Sequence, residues 1–173
     1  MDKSVFRRLL GDELNEVSGA LREFSDAPSA AAGTLTVRHH PGRMARFFIW
    51  ALRLPKEGAG QPTTIQIQCS GGREYWNRTI GRARFCTRHS VVEGWLEETT
   101  GRFRFLHRVS VVDGGLHYRQ ERVYFLGIRL PHVLSPIISA YAKGDERGWQ
   151  LDLTVSCPRC GPICQYEGWI AAK

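Results

Sequence analysis

The chain has 173 residues, 42% hydrophobic and 24% charged, a composition that fits one globular domain over residues 1–173 and argues against a disordered or fibrous chain. Its formal net charge of +7 favours acidic partners such as nucleic acid or anionic lipid, but charge bears on attraction and solubility rather than on specificity. The longest apolar run, Phe47 to Leu52, is far below the roughly 20 residues of a membrane-spanning helix. The opening residues mix charges too early for a secretory signal, and an odd number of cysteines, five, suits reduced thiols, so a cytoplasmic location is expected.

Val5 to Leu10 and Glu13 to Phe24 read as helices; Leu14, Val17, Leu21 and Phe24 recur at helical spacing, and Asp12 stands where a capping side chain would. Ser25 to Gly33 is rich in Ala, Ser, Pro and Gly and reads as a loop. A short strand over Thr34–His39 leads into a helix over Pro41–Leu54, opened by one proline and stopped by Pro55.

Alternating runs then follow at 64–69, 74–80, 83–89, 92–98, 102–112, 115–125, 149–155 and 163–171, punctuated by Gly71-Gly72, Gly81, Gly101, Asp113-Gly114 and Gly144-Asp145. Such short turns force neighbouring strands to be antiparallel. Ile65 and Ile67, Phe103 to Val111, and Trp149 to Val155 place one apolar face opposite one polar face. The fold expected is mainly β (α+β): one strongly curved, barrel-like antiparallel sheet of about eight or nine strands, with N-terminal helices and one helix inserted after the first strand. A sheet curved this far leaves a concavity suited to a ligand.

The run Gly72-Arg73-Glu74-Tyr75-Trp76-Asn77-Arg78-Thr79-Ile80-Gly81, continued by Leu126-Gly127-Ile128-Arg129-Leu130-Pro131 and Tyr166-Glu167-Gly168-Trp169, resembles the bacterial family known as domain of unknown function 4166. Phe6 to Leu10 and Leu52-Arg53-Leu54-Pro55 are similar too, so the resemblance covers nearly the whole chain. It carries no established activity. It implies a neighbourhood beside saccharopine-dehydrogenase-like oxidoreductases or membrane segments, and so a dehydrogenase-type partner by analogy only. The cysteines of Cys157-Pro158-Arg159-Cys160-Gly161-Pro162-Ile163-Cys164 depart from the family pattern.

Four constellations could carry chemistry. Trp76 and Arg78 share a face with Ile80, so an arginine points where apolar side chains point and needs a partner; Glu97 is the candidate. The functional reading is a polar anchor for the acidic or carbonyl head of an apolar ligand, walled by Trp76, Tyr118 or Tyr166, and the competing reading is a structural ion pair. Cys157 and Cys160 have the form of half a zinc knuckle, to which Cys164 could add a third ligand; the alternative is a hairpin whose turn contains thiols, with no cofactor. On the helix from Pro41, Met44, Phe47, Phe48, Ala51 and Leu52 form an apolar face, and Arg43, Arg46, Trp50 and Arg53 another that suits an anionic membrane surface; an ordinary docked helix competes. Arg82, Arg84, Arg88, Arg102, Arg104 and Arg108 fall on polar strand faces without an interleaved aromatic platform, which gives no support for specific nucleic-acid binding.

The sequence contains no nucleophile elbow, paired-histidine zinc helix or phosphate-cradling loop. The function expected is a binding module for an apolar or amphipathic, lipid-like small molecule; the alternatives are an enzyme or accessory half of an oxidoreductase acting on such a molecule, and an adaptor docking on a protein or membrane.

Overall fold

A computed structural model of the chain describes residues 3–27 and 29–172. Helix α1 (Val5–Leu10) is capped by Ser4, whose Oγ accepts the Arg7 amide at 3.0 Å. A 3₁₀ segment, Gly11–Glu16, follows, and α2 spans Gly19–Asp26. The strands are β1 (Ala30–His39), β2 (Gly58–Ser70), β3 (Arg73–Ile80), β4 (Ala83–Val92), β5 (Trp95–Thr100), β6 (Phe103–Val112), β7 (Gly115–Phe125), β8 (Ile128–Arg129), β9 (Ile137–Gly144), β10 (Trp149–Cys157) and β11 (Gly161–Ala172), with α3 (Arg43–Ala51) between β1 and β2.

Neighbouring strands run antiparallel from β1 to β7, then through β9, β10 and β11 back to β1, so ten strands close a barrel and β8 pairs only with β7. Closure leaves no open sheet edge in the wall. The hairpin turns Glu93-Gly94 and Asp113-Gly114 have positive φ at both central residues, the geometry whose twist matches that of the flanking strands. These turns fix the register, and with it which side chains enter the barrel.

The two ends of the barrel differ. One is plugged by the N-terminal helices: Phe6, Leu14, Val17, Leu21 and Phe24 are all buried. Phe6 packs edge-on against Trp76 and Tyr118, and Phe24 packs edge-on against Trp76 and at a shallow tilt against Trp149. The backbone amides of Ser18 and Ala20 donate to the carbonyls of Gly114 and Asp145 in the barrel turns, which satisfies donors at the start of α2. At the other end lie α3, the 126–127 turn and the segment 130–136. Ala51 and Leu52 pack there with Phe103, Phe105, Phe125 and Ile138.

Four expectations need correction. The single helix over 13–24 is broken at Val17, which is extended, and Asp12 lies inside the 3₁₀ segment rather than capping a helix. Residues 30–33, read as loop, belong to β1: pairing with β2 and β11 overrides their weak strand propensity. Their smallness has a use, because a Cβ on Gly33 would lie 2.0 Å from the Trp169 carbonyl oxygen. Strand β9 adds to the expected strands; its Ser-Ala-Tyr-Ala run lacks the strong alternation that marks the others. On α3 the buried side chains are Ala45 and Phe48, whereas Met44 and Phe47, expected on the docked face, are exposed.

Candidate functional site

The barrel encloses a cavity of about 210 Å³. Its wall is built by strand alternation. Trp76, Arg78 and Ile80 enter from β3, Phe85, Thr87 and His89 from β4, Leu96, Glu98 and Thr100 from β5, and Phe105 and His107 from β6. Tyr118, Ala140, Leu151, Leu153 and Tyr166 line the far side, and Leu52, Leu54 and Pro55 the end beside α3. Most of this surface is carbon, which favours an apolar occupant.

One polar cluster interrupts it. Arg78 Nη1 lies 3.4 Å from Glu98 Oε1, His89 Nε2 3.4 Å from the same oxygen, and His107 Nε2 3.4 Å from Glu98 Oε2. His89 Nε2 is also 3.1 Å from Thr87 Oγ1. The Arg78 guanidinium sits over the rings of Trp76 and Phe85, 4.9 and 5.9 Å from their centroids, where cation–π attraction offsets part of its desolvation. Trp76 in turn stacks on His89 at 4.8 Å. Behind this layer Glu74, 1% exposed, accepts the Trp76 indole N–H at 2.9 Å and the Val5 amide at 2.7 Å. A second buried carboxylate therefore lies on the same strand face.

Burial acts on Glu98, His89 and Tyr118. It would raise the Glu98 carboxyl, but His107, His89 and the charge of Arg78 outweigh it and hold Glu98 well below the usual carboxylate range. Burial pushes His89 below an ordinary imidazole, against the pull of Glu98, so its ring is neutral at neutral pH. Burial also pushes the Tyr118 phenol up, and Tyr118 is therefore a hydrogen-bonding hydroxyl rather than an anion. Nδ1 of His89 and Nδ1 of His107 are buried without a hydrogen bond among the described residues. A buried polar atom left in that state needs a partner.

Of the ligand-binding residues expected from sequence, Trp76, Arg78, Tyr118 and Tyr166 line this one cavity. Glu97 does not, which corrects the expected partner of Arg78. The Glu93-Gly94 turn sets Val91 opposite Leu96 and His89 opposite Glu98, so 96, 98 and 100 face inward and Glu97 faces outward, with Ser90 Oγ and Arg104 Nη1 on its carboxylate. Glu98, His89 and His107 were missed as a set. Strand pairing was the signal, since cross-strand partners share a face.

The three cysteines are not brought together as one ligand set. Cys157 and Cys160 bracket the turn between β10 and β11, the Cys157 thiol reaches the Val133 carbonyl at 3.8 Å, and Cys164 lies inside the barrel wall opposite Val155. Burial pushes the Cys160 and Cys164 thiols up to about 11. Among the described residues no group of three or more His, Cys, Asp or Glu side chains is placed to hold an ion.

Outside the barrel, the arginine surface differs from expectation by carrying aromatic rings. Arg104 covers Tyr124 at 4.1 Å, and Arg108 and Arg122 lie over Trp95 at 5.1 and 5.6 Å. These ring faces are covered by arginine. No helix among the described residues is long and apolar enough to cross a membrane.

Fold and site together define a closed antiparallel β-barrel, helix-plugged at one end, with an apolar cavity that contains a charged and imidazole cluster. The chain belongs to the family described as Domain of unknown function (DUF4166), whose model matches residues 20–170. No curated protein matches it. Among solved structures it is similar to a protein of unknown function from the DUF3598 family of Nostoc punctiforme, with a TM-score of 0.51 and 10% identity over 92% of this chain and 49% of that one. The chain thus spans about half the length of that protein, and the likeness concerns the fold alone. A secretary abundant heat soluble (SAHS) protein from Ramazzottius varieornatus gives a TM-score of 0.46 and 13% identity over 84% of this chain and 93% of that one.

Proposed function

We propose that this barrel is a binding module for a small, largely apolar molecule, held in the interior with its polar end against Arg78, Glu98, Tyr118 and His107. The observation that carries the reading is the cavity of about 210 Å³ with carbon walls and one polar cluster. An apolar cavity of about 150 Å³ accepts a benzene molecule, so the occupant has on the order of ten non-hydrogen atoms. Cys86, Cys157, Cys160 and Cys164 are free thiols, which is compatible with action in a reducing compartment. Native mass spectrometry of the purified protein tests the proposal. A retained adduct lost on denaturation is expected; a consistently empty protein that also gives no heat with 1-octanol in calorimetry overturns it.

A second reading, catalysis on the bound molecule, is favoured by one observation. An ionised carboxylate, Glu98, lies between two imidazoles, His89 and His107, at the cavity wall, and such an arrangement suits proton transfer. Recovery of a chemically altered ligand from the protein, abolished by His107→Gln, separates this reading from simple binding.

A further inference from the structure

We infer that the cavity selects a ligand with a neutral hydrogen-bonding head, an alcohol, ester or ketone, and rejects a carboxylate, and that Glu98 is the specificity-determining residue. This rests on the binding function proposed above. A lone arginine in an apolar cavity would attract an acid. Arg78 is not alone: the Glu98 carboxylate lies 3.4 Å from its Nη1. Glu74, fully buried, accepts the Trp76 indole N–H at 2.9 Å, and that indole lies directly under the Arg78 guanidinium. A ligand carboxylate would add a further negative charge to a poorly solvated region that already holds two carboxylates and one arginine. Like charges at such range repel strongly in a medium of low effective dielectric.

A neutral head has partners at the same place. The Tyr118 hydroxyl, kept protonated by burial, is a donor. His107, 2% exposed, has its Nδ1 without a hydrogen bond among the described residues. An alcohol donates to one imidazole nitrogen or to Glu98 and accepts from Tyr118 or Arg78; an ester or ketone only accepts. Neither adds charge.

Calorimetric titration with 1-octanol, methyl octanoate and sodium octanoate at neutral pH tests the inference, because the three share a chain and differ in the head. Wild type should bind the alcohol and the ester at least about tenfold more tightly than the acid. Glu98→Gln should shift the ratio of octanoate to 1-octanol affinity about tenfold toward the acid. If octanoate binds wild type as tightly as the neutral compounds, the head-group inference fails while the binding function stands. If none of the three binds, the head-group inference fails, and the binding function falls with it where the protein is also purified empty. The wild-type ratio decides even where Glu98→Gln folds poorly.

A separate observation concerns the end of the barrel beside α3. We infer that this end docks on an anionic lipid surface. Met44, Phe47 and Trp50 on α3 and Leu126, Ile128 and Val133 beyond β7 are exposed there, Trp50 at 75% and Ile128 at 72%, and Leu52, Leu54 and Pro55 of the same end line the cavity. The segments 40–57, 81–82, 101–102, 126–136 and 158–160 carry Arg43, Arg46, Arg53, Lys56, Arg102 and Arg129 among their basic residues, and Glu57 is their one carboxylate. Exposed apolar side chains in segments rich in cations match the interface of an anionic bilayer, which takes up both.

Co-sedimentation with vesicles of phosphatidylcholine alone, or mixed with phosphatidylglycerol, is the test. Binding to the mixed vesicles only, weakened by salt and reduced at least about fivefold by Trp50→Ser without loss of thermal stability, is expected. Binding to neither composition, or equal binding to both, overturns the docking inference, as does a Trp50→Ser protein that binds as wild type.

Discussion

Inside the barrel the Arg78 guanidinium and the Glu98 carboxylate meet at 3.4 Å across the intervening strand β4, twenty positions apart in sequence. Each holds a charge that the surrounding carbon would otherwise expel, so neither is dispensable alone. Arg78→Met should therefore destabilise the fold by about 2 kcal/mol, because an ionised Glu98 is left with only imidazole neighbours. The double variant Arg78→Met/Glu98→Gln should recover at least half of that loss. Urea denaturation of the two single variants and the double variant measures the coupling; additive losses would mean that the pair does not interact.

Acid should weaken the fold through the same cluster. Glu98 titrates well below its unfolded value, so its contribution is complete above the unfolded carboxyl pKa and is lost as pH falls toward the lower folded one. His89 is also lowered: below the ordinary imidazole value the unfolded chain takes up a proton that the folded chain refuses, which again costs stability as pH falls. Thermal midpoints should be flat between about pH 7 and pH 8 and decline progressively below about pH 7. In Glu98→Gln the part of the decline below about pH 4.5 should shrink. A midpoint that rises on acidification would contradict both assignments.

The barrel was legible because its hairpins are. Asp113-Gly114 and the alternation of Phe103, Phe105 and His107 announce a turn and a buried face, and the structure has both. Two kinds of information were not local. Strand β9 presents Ala140 and Ala142 inward, and small residues carry little periodic signal. The partner of Arg78 depended on the register across β4, where one position separates an inward Glu98 from an outward Glu97. Trp76, Arg78, Tyr118 and Tyr166 could be placed on the cavity wall because aromatic and charged residues stand out on an apolar face; His89 lines the cavity too, but only pairing brings it to Glu98.

Glu74 ties the N-terminal plug to the wall. One carboxylate oxygen accepts the Val5 amide at 2.7 Å, in the first turn of α1, and the other accepts Trp76 Nε1 at 2.9 Å. Glu74→Ala should cost about 2–3 kcal/mol, since it leaves two buried donors without an acceptor. Glu74→Gln keeps one acceptor oxygen and should cost less. Hydrogen exchange at the Val5 amide should accelerate in Glu74→Ala well before global unfolding does. Unchanged protection there would show that α1 is held by Phe6 packing alone.

The most direct test of the interior fills it. Ala140 is 8% exposed, projects from β9 into the cavity, and stands opposite Tyr118 on β7 and Leu153 on β10. A leucine at this position occupies space that a ligand would take and buries further carbon. Gain from burial and cost from tight packing then oppose each other, so Ala140→Leu should change stability by less than about 1.5 kcal/mol. Binding of 1-octanol should fall by more than about tenfold, because the ligand and the new side chain compete for one volume. The dissociation of the two effects is informative: a variant that folds as well as wild type but no longer binds places the ligand inside the barrel. Retained binding would place it on the outer surface, with the cluster at Glu98 serving stability alone.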